Sequence, residues 1–154
     1  MNSYEKLLAD LVQARVEFVT VGALACAFNG WVRTTLDVDI LVNRTPENVA
    51  RLLKCLALVG EGAAAELRWE DFTDEPGAVR VIEEFPIDVF VRIGGVTYDE
   101  VMRGAEYHDV SAASGTVRIP YADAETLVRI KSSSLREHDK LDVLALQRII
   151  NERR

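Results

Sequence analysis

Three aspartates sit inside runs that read as strands. Asp37-Val38-Asp39-Ile40-Leu41-Val42 alternates strictly, so Asp37, Asp39 and Leu41 share one face and Val38, Ile40 and Val42 the other. Both carboxylates therefore lie on one side of one strand, about 7 Å apart along it. Asp is depleted in strands, and like charges beside a core are costly unless a cation neutralises them. A hard divalent ion does so, with carboxylate oxygens as its preferred ligands. Asp88 repeats the anomaly in Pro86-Ile87-Asp88-Val89-Phe90-Val91, an apolar run with one acid inside. Converging in a mixed sheet, three such carboxylates suit a pair of metal ions about 3.5–4 Å apart, the arrangement that serves phosphoryl transfer. A lone strand Asp more often caps a strand end or faces water; the D-x-D pair with a third acid favours chemistry.

A second group of residues could meet a phosphate. The β-branched run Val16–Val21 ends at Gly22-Ala23 and turns into a short apolar helix, Leu24–Phe28. Such a turn offers backbone N–H groups and a positive helix end to an anion. Lys131 has Leu127 and Leu135 four residues to either side, which places it on the apolar stripe of its helix. It either snorkels to solvent or faces a cleft, where it would bind phosphate as a point charge. Asp142 lines up with Ala145, Leu146 and Ile149. Asp139 and Asp142 either orient Lys131 or Arg136 or lie on a plain helix surface. Arg33 either clamps phosphate or pairs with an acid. Trp31 and Trp69 read as packing residues rather than base-stacking platforms.

The elements that must position these groups can be read along the chain. A first helix, capped by Asn2 or Ser3, carries Leu7, Leu8, Leu11 and Val12 at helical spacing, with Arg15 near its end. Trp31–Thr35 is a link into the Asp37–Val42 strand. Thr45-Pro46-Glu47 opens a helix to about Val59-Gly60. Residues 61–75 are acidic and form a surface helix and loop. Ala78–Glu83 and Ile87–Ile93 read as strands around Glu84-Phe85-Pro86, and Tyr98–Arg103 as a short helix. Tyr107–Val110 and Thr116–Ile119 form an edge hairpin, and two helices, Asp123–Leu135 and His138–Asn151, close the chain. The class is α/β or α+β: one domain spanning 1–154, with a mixed β-sheet flanked by helices.

Composition narrows the chemistry. The 154 residues carry 18 basic and 25 acidic side chains, a net charge of −7. That acidity argues against general DNA binding or adhesion to an anionic membrane. Residues 126–154 run the other way, with seven basic and four acidic side chains. They form either a solvated helix or a cationic wall facing an anionic substrate. No apolar run approaches the roughly 18 residues that span a bilayer, and the polar start Met1–Lys6 is unlike a signal peptide. Cys26 and Cys55 lie apart among apolar residues, as buried free thiols of a cytoplasmic protein do. Two histidines without HExxH or HxH spacing argue against imidazole-based zinc or triad chemistry.

The residues also resemble a family. Val21-Gly22-Ala23-Leu24-Ala25, followed by Asn29-Gly30-Trp31-Val32-Arg33-Thr34-Thr35-Leu36-Asp37-Val38-Asp39, resembles the first motif of the nucleotidyltransferase superfamily, whose fold is that of DNA polymerase β. The nearest branch is the AbiEii-like and related small bacterial nucleotidyltransferases, with G-G-x-A followed by h-G-x-x-R-x-T-x-D-h-D-h. Ile87-Asp88-Val89 resembles the third-carboxylate strand. Val128-Arg129-Ile130-Lys131 through Arg136, Asp139 and Asp142 resembles the C-terminal helices. The resemblance covers roughly residues 17–150.

The resemblance implies that Asp37, Asp39 and Asp88 hold two Mg²⁺ ions. It makes Asp88 also the base toward an acceptor hydroxyl. Gly22, Ala23, Arg33, Thr35 and Lys131 would bind the nucleotide, with Asp139 and Asp142 in support. NMP would pass from ATP or another NTP to an RNA end, a protein hydroxyl or a small molecule. Ala23 departs from the usual Gly or Ser: backbone contacts survive, but a Ser hydroxyl to phosphate is lost. That departure supports an alternative, a degenerate non-catalytic module such as one component of a toxin–antitoxin pair, with a cognate protein partner. A third reading is an α/β domain whose acids are surface residues.

Overall fold

The computed structural model describes residues 1–59, 62–132, 134 and 136–154. Gly60, at the expected end of one helix, Glu61, at the start of the acidic segment, and Leu135, at the expected end of another helix, fall outside them.

Among the described residues the chain builds an α+β fold around a mixed sheet of six strands, which run across the sheet in the order Ala78–Ile82, Pro86–Phe90, Val38–Val42, Phe18–Val21, Gly115–Tyr121, Glu106–Ala112. Helix α1 (Ser3–Gln13) starts at Asn2, whose side chain accepts the Glu5 N–H while Glu5 reaches back to the Asn2 N–H. This reciprocal cap satisfies two otherwise orphaned donors. β1 (Phe18–Val21) is buried throughout. It feeds α2 (Gly22–Phe28), and the link Asn29–Asp37 leads to β2 (Val38–Val42). Pro46, at the first position of α3 (Pro46–Val59), has the backbone angle a helix needs. The acidic segment forms two 3₁₀ turns, Ala63–Glu66 and Trp69–Asp71, rather than an α-helix.

β3 (Ala78–Ile82) and β4 (Pro86–Phe90) form a hairpin. The expected strand Ile87–Ile93 breaks at Val91. Beyond the break, β5 (Arg92–Ile93) pairs with β6 (Val96–Thr97) as a separate two-stranded ribbon. Gly94 and Gly95 turn this ribbon, both at positive φ, as a two-residue hairpin requires. A side chain at Gly94 would press on the backbone of Ile130, so the ribbon lies close against the C-terminal helices. α4 (Tyr98–Met102) follows. β7 (Glu106–Ala112) and β8 (Gly115–Tyr121) are longer than expected; β7 is the sheet edge, while β8 also pairs in parallel with β1. α5 (Ala124–Lys131), capped by Asp123, and α6 (Glu137–Glu152) complete the chain.

The sheet separates two apolar clusters. Val38, Ile40, Val42, Ile87 and Val89 face α1 and α3, with Leu8, Leu11, Leu52 and Leu56 fully buried beside them. Val19, Val21 and Leu41 face Cys26, Leu127 and Leu146 of α2, α5 and α6. Leu8→Ala should destabilise by about 2–5 kcal/mol, the range for buried leucines, measurable as a lower urea midpoint. Alternation puts Asp39 and Asp88 on the second face, under the C-terminal helices. Both cysteines are free and buried, and burial pushes each thiol up to about 11.

Candidate metal and nucleotide site

Strand register assembles the site. Val21 lies opposite Asp39, Asp39 opposite Asp88, and Asp88 opposite Arg80. Opposed residues share a sheet face, so one row across four strands reads Arg80, Asp88, Asp39, Val21, with Gly22 next in the chain. Asp37 lies in the bend just before β2, which starts at Val38 and not at Asp37 as expected, and its carboxylate reaches the same cluster. One carboxylate oxygen from each of Asp37, Asp39 and Asp88 lies within 4.8 Å of the others. The row opens into a cavity of about 580 Å³ whose walls include Gly22, Ala23, Arg33, Thr35 and Lys131. Phe90, Ile93 and Ile130 give it an apolar side.

Gly22 is required here. Its φ is +66°, and a Cβ would overlap the Asp39 carboxylate. Gly22→Ala must therefore displace Asp39 and strain the backbone, costing about 1–3 kcal/mol. The expected result is a lower melting temperature. Ala23 is buried, with no hydroxyl to offer. The first residue of the α2 entry, Val21, supplies no side-chain cap, so the opening N–H groups are not capped from there. Thr35 donates its hydroxyl to the Asp37 carbonyl (2.9 Å), fixing the entry to β2.

Burial, then the charges of Asp37 and Asp88, push the Asp39 carboxyl up to about 7. A carboxyl held above its ordinary value stabilises the fold fully at low pH and loses that contribution as pH rises to the folded value. Without metal, the protein should therefore be less stable at pH 8 than at pH 5 by about 2–3 kcal/mol. Asp39→Asn should abolish that difference in thermal melts run in chelator. Asp139 does not interfere in this window, because its carboxyl is held down to about 2.

The C-terminal helices close the cavity with a buried ion network. Asp142, wholly buried, accepts from Trp31 Nε1 (2.7 Å), from Arg33 Nε (2.9 Å) and Nη2 (3.0 Å), and pairs with Lys131 Nζ (3.0 Å). Asp139 accepts from Lys131 Nζ (3.0 Å), Ser134 Oγ (2.7 Å) and Arg136 Nε (3.0 Å). Burial lowers the Lys131 ammonium, but its bonds to Asp139 and Asp142 outweigh burial and hold it above its ordinary value. Burial likewise raises Asp142, and Arg33, Trp31 and Lys131 more than reverse it. Lys131 thus lies buried at the cavity wall instead of snorkelling. Arg33 pairs with an acid. Asp139 and Asp142 orient Lys131, and Asp139 also holds Arg136. Trp31 packs on the core with its indole N–H on Asp142, while Trp69 packs on the other cluster under the Arg44 guanidinium.

Arg80 is the residue that motif reasoning misses. Its guanidinium grips Asp88 with two 2.8 Å bonds and reaches Asp37 at 3.2 Å. The signal was the hairpin: pairing Ile82 with Pro86 across Glu83–Phe85 fixes Arg80 opposite Asp88.

No protein-family model matches the sequence, and no curated protein matches it. A solved structure does. It is the crystal structure of a "putative nucleotidyltransferase" from Thermotoga maritima, similar over 96% of this chain and 90% of that one, with a TM-score of 0.54 and 15% identity. At that identity the likeness is one of fold, and the chain has a nucleotidyltransferase-like fold. Among the described residues, no helix is long and apolar enough to cross a membrane.

Proposed function

We propose that this chain is a Mg²⁺-dependent nucleotidyltransferase of the AbiEii-like kind, moving NMP from an NTP to an acceptor hydroxyl on an RNA end, a protein or a small molecule. The observation that carries this is the cluster of Asp37, Asp39 and Asp88 in one cavity beside Gly22. The donor set suits the ion: hard carboxylate oxygens are what Mg²⁺ takes. The Asp39 carboxyl, pushed up to about 7, marks negative charge in need of a cation.

In this reading Asp37 and Asp39 hold two Mg²⁺ ions, with Asp88 the third ligand. Bound there, the ions supply charge neutralisation at the transferred phosphoryl group and its leaving pyrophosphate. The chain's own residues do the rest by positioning. Asp88 accepts the proton of the acceptor hydroxyl. Gly22 and Ala23 offer backbone N–H groups to the triphosphate. Lys131 spends two of its three N–H donors on Asp139 and Asp142, and turns the third to a phosphate oxygen. Arg33, fixed by Asp142, and Thr35 complete the nucleotide wall. Calorimetric titration with Mg²⁺ and Mg-NTP should show binding to wild type and none to the Asp37→Ala/Asp39→Ala double variant. Absence of binding to wild type at millimolar concentration contradicts the reading.

The buried methyl of Ala23, where a phosphate-binding hydroxyl would sit, favours a second reading: a non-catalytic module with a cognate protein partner, as in a toxin–antitoxin pair. Co-purification with a specific protein, combined with no response to metal, would select it.

A further inference from the structure

Arg80 stands at the end of the carboxylate row away from Gly22, on the edge strand β3. Both Asp88 oxygens receive its N–H groups, Nε on one and Nη2 on the other, each at 2.8 Å, and Nη2 also reaches Asp37. This fork takes one in-plane lone pair on each Asp88 oxygen. A divalent ion held by the same carboxylate oxygens would stand against a guanidinium of like sign. The two cations compete for Asp88 and Asp37. Arg80 can yield: its side chain is 51% exposed, while the Asp88 side chain is 12% exposed. Its neighbours along β3, Ala78 and Ile82, are exposed as well.

We propose that Arg80 is a built-in counterion of the carboxylate cluster, occupying Asp88 and Asp37 in the metal-free protein and displaced when divalent cations enter. It is a positioning residue: it keeps Asp88 masked until metal arrives, then leaves Asp88 free while remaining tethered beside it. This rests on the metal-site reading above. Two consequences follow that a purely structural ion pair would not produce. Removing Arg80 tightens metal binding, and it destabilises only the metal-free protein.

The test is a Mn²⁺ titration, without nucleotide, of the whole chain as wild type, Arg80→Gln and Arg80→Lys, with free Mn²⁺ read by electron paramagnetic resonance. Arg80→Gln should bind roughly tenfold tighter, the scale of one charged hydrogen-bonded contact. Arg80→Lys, which keeps the charge but not the fork, should fall between. In thermal melts, Arg80→Gln should melt below wild type in chelator and level with it in saturating Mn²⁺. Equal or weaker Mn²⁺ binding by a folded Arg80→Gln, with Arg80→Lys unchanged, overturns the proposal and leaves the metal site standing. No Mn²⁺ binding by wild type or either variant overturns both.

Discussion

Asp39→Asn is expected to cut nucleotidyl transfer by about a thousandfold, some 4 kcal/mol of barrier, while raising the melting temperature of the metal-free protein. The two effects have one cause. Asp39 lies between Asp37 and Asp88 in a largely desolvated row, which pushes its carboxyl up to about 7. Arg80 bonds to Asp37 and Asp88. At neutral pH a charge at position 39 therefore costs folding energy that the neutral amide does not. The amide can no longer hold a divalent ion as a carboxylate does, so the stabilisation gained by adding Mg²⁺ should shrink or vanish. Activity and stability then move in opposite directions, a result a surface acid would not give. If the variant keeps wild-type turnover, or melts lower in chelator, Asp39 is not a metal-directed charge.

The largest stability effect should come from Asp142→Ala. That carboxylate is wholly buried and receives Trp31, Arg33 and Lys131 together. Removing it leaves two cations and an indole N–H without their shared acceptor, at about 3–5 kcal/mol for a broken buried pair. For a chain of this size that is roughly a 10 °C fall in melting temperature. Because Asp142 joins the Trp31–Arg33 link to α5 and α6, nucleotide affinity should fall in the same variant. A melting temperature within a degree or two of wild type would show that the network is not what binds the C-terminal helices to the site.

The carboxylate row was legible because strand alternation has a fixed period: a D-x-D in an apolar run can only put both acids on one face. Gly22 was legible as a strand-to-helix turn, but its close packing on Asp39 depends on the β1–β2 register. The fate of Lys131 was not legible from its own helix, since periodicity places it on the inward stripe and only the docking of α6 supplies Asp139 and Asp142. Arg33 shows the same limit, because Asp142 lies more than a hundred residues away. The break at Val91 was hidden because Val89-Phe90-Val91 reads as continuous apolar strand, although Gly94-Gly95 carried the hairpin signal. Arg80 sits in no motif; its role appears only when the β3–β4 register is followed.

The central claim, that the Asp37, Asp39 and Asp88 cluster transfers a nucleotide, is tested most directly by labelling. Purified chain is incubated with Mg²⁺, a cell lysate and each NTP in turn, radiolabelled at the α-phosphate, beside Asp39→Asn and a γ-phosphate-labelled control. The account predicts label in one acceptor fraction with wild type and α-labelled NTP only, lost in Asp39→Asn and in chelator. No NTP giving label above the Asp39→Asn level would contradict it.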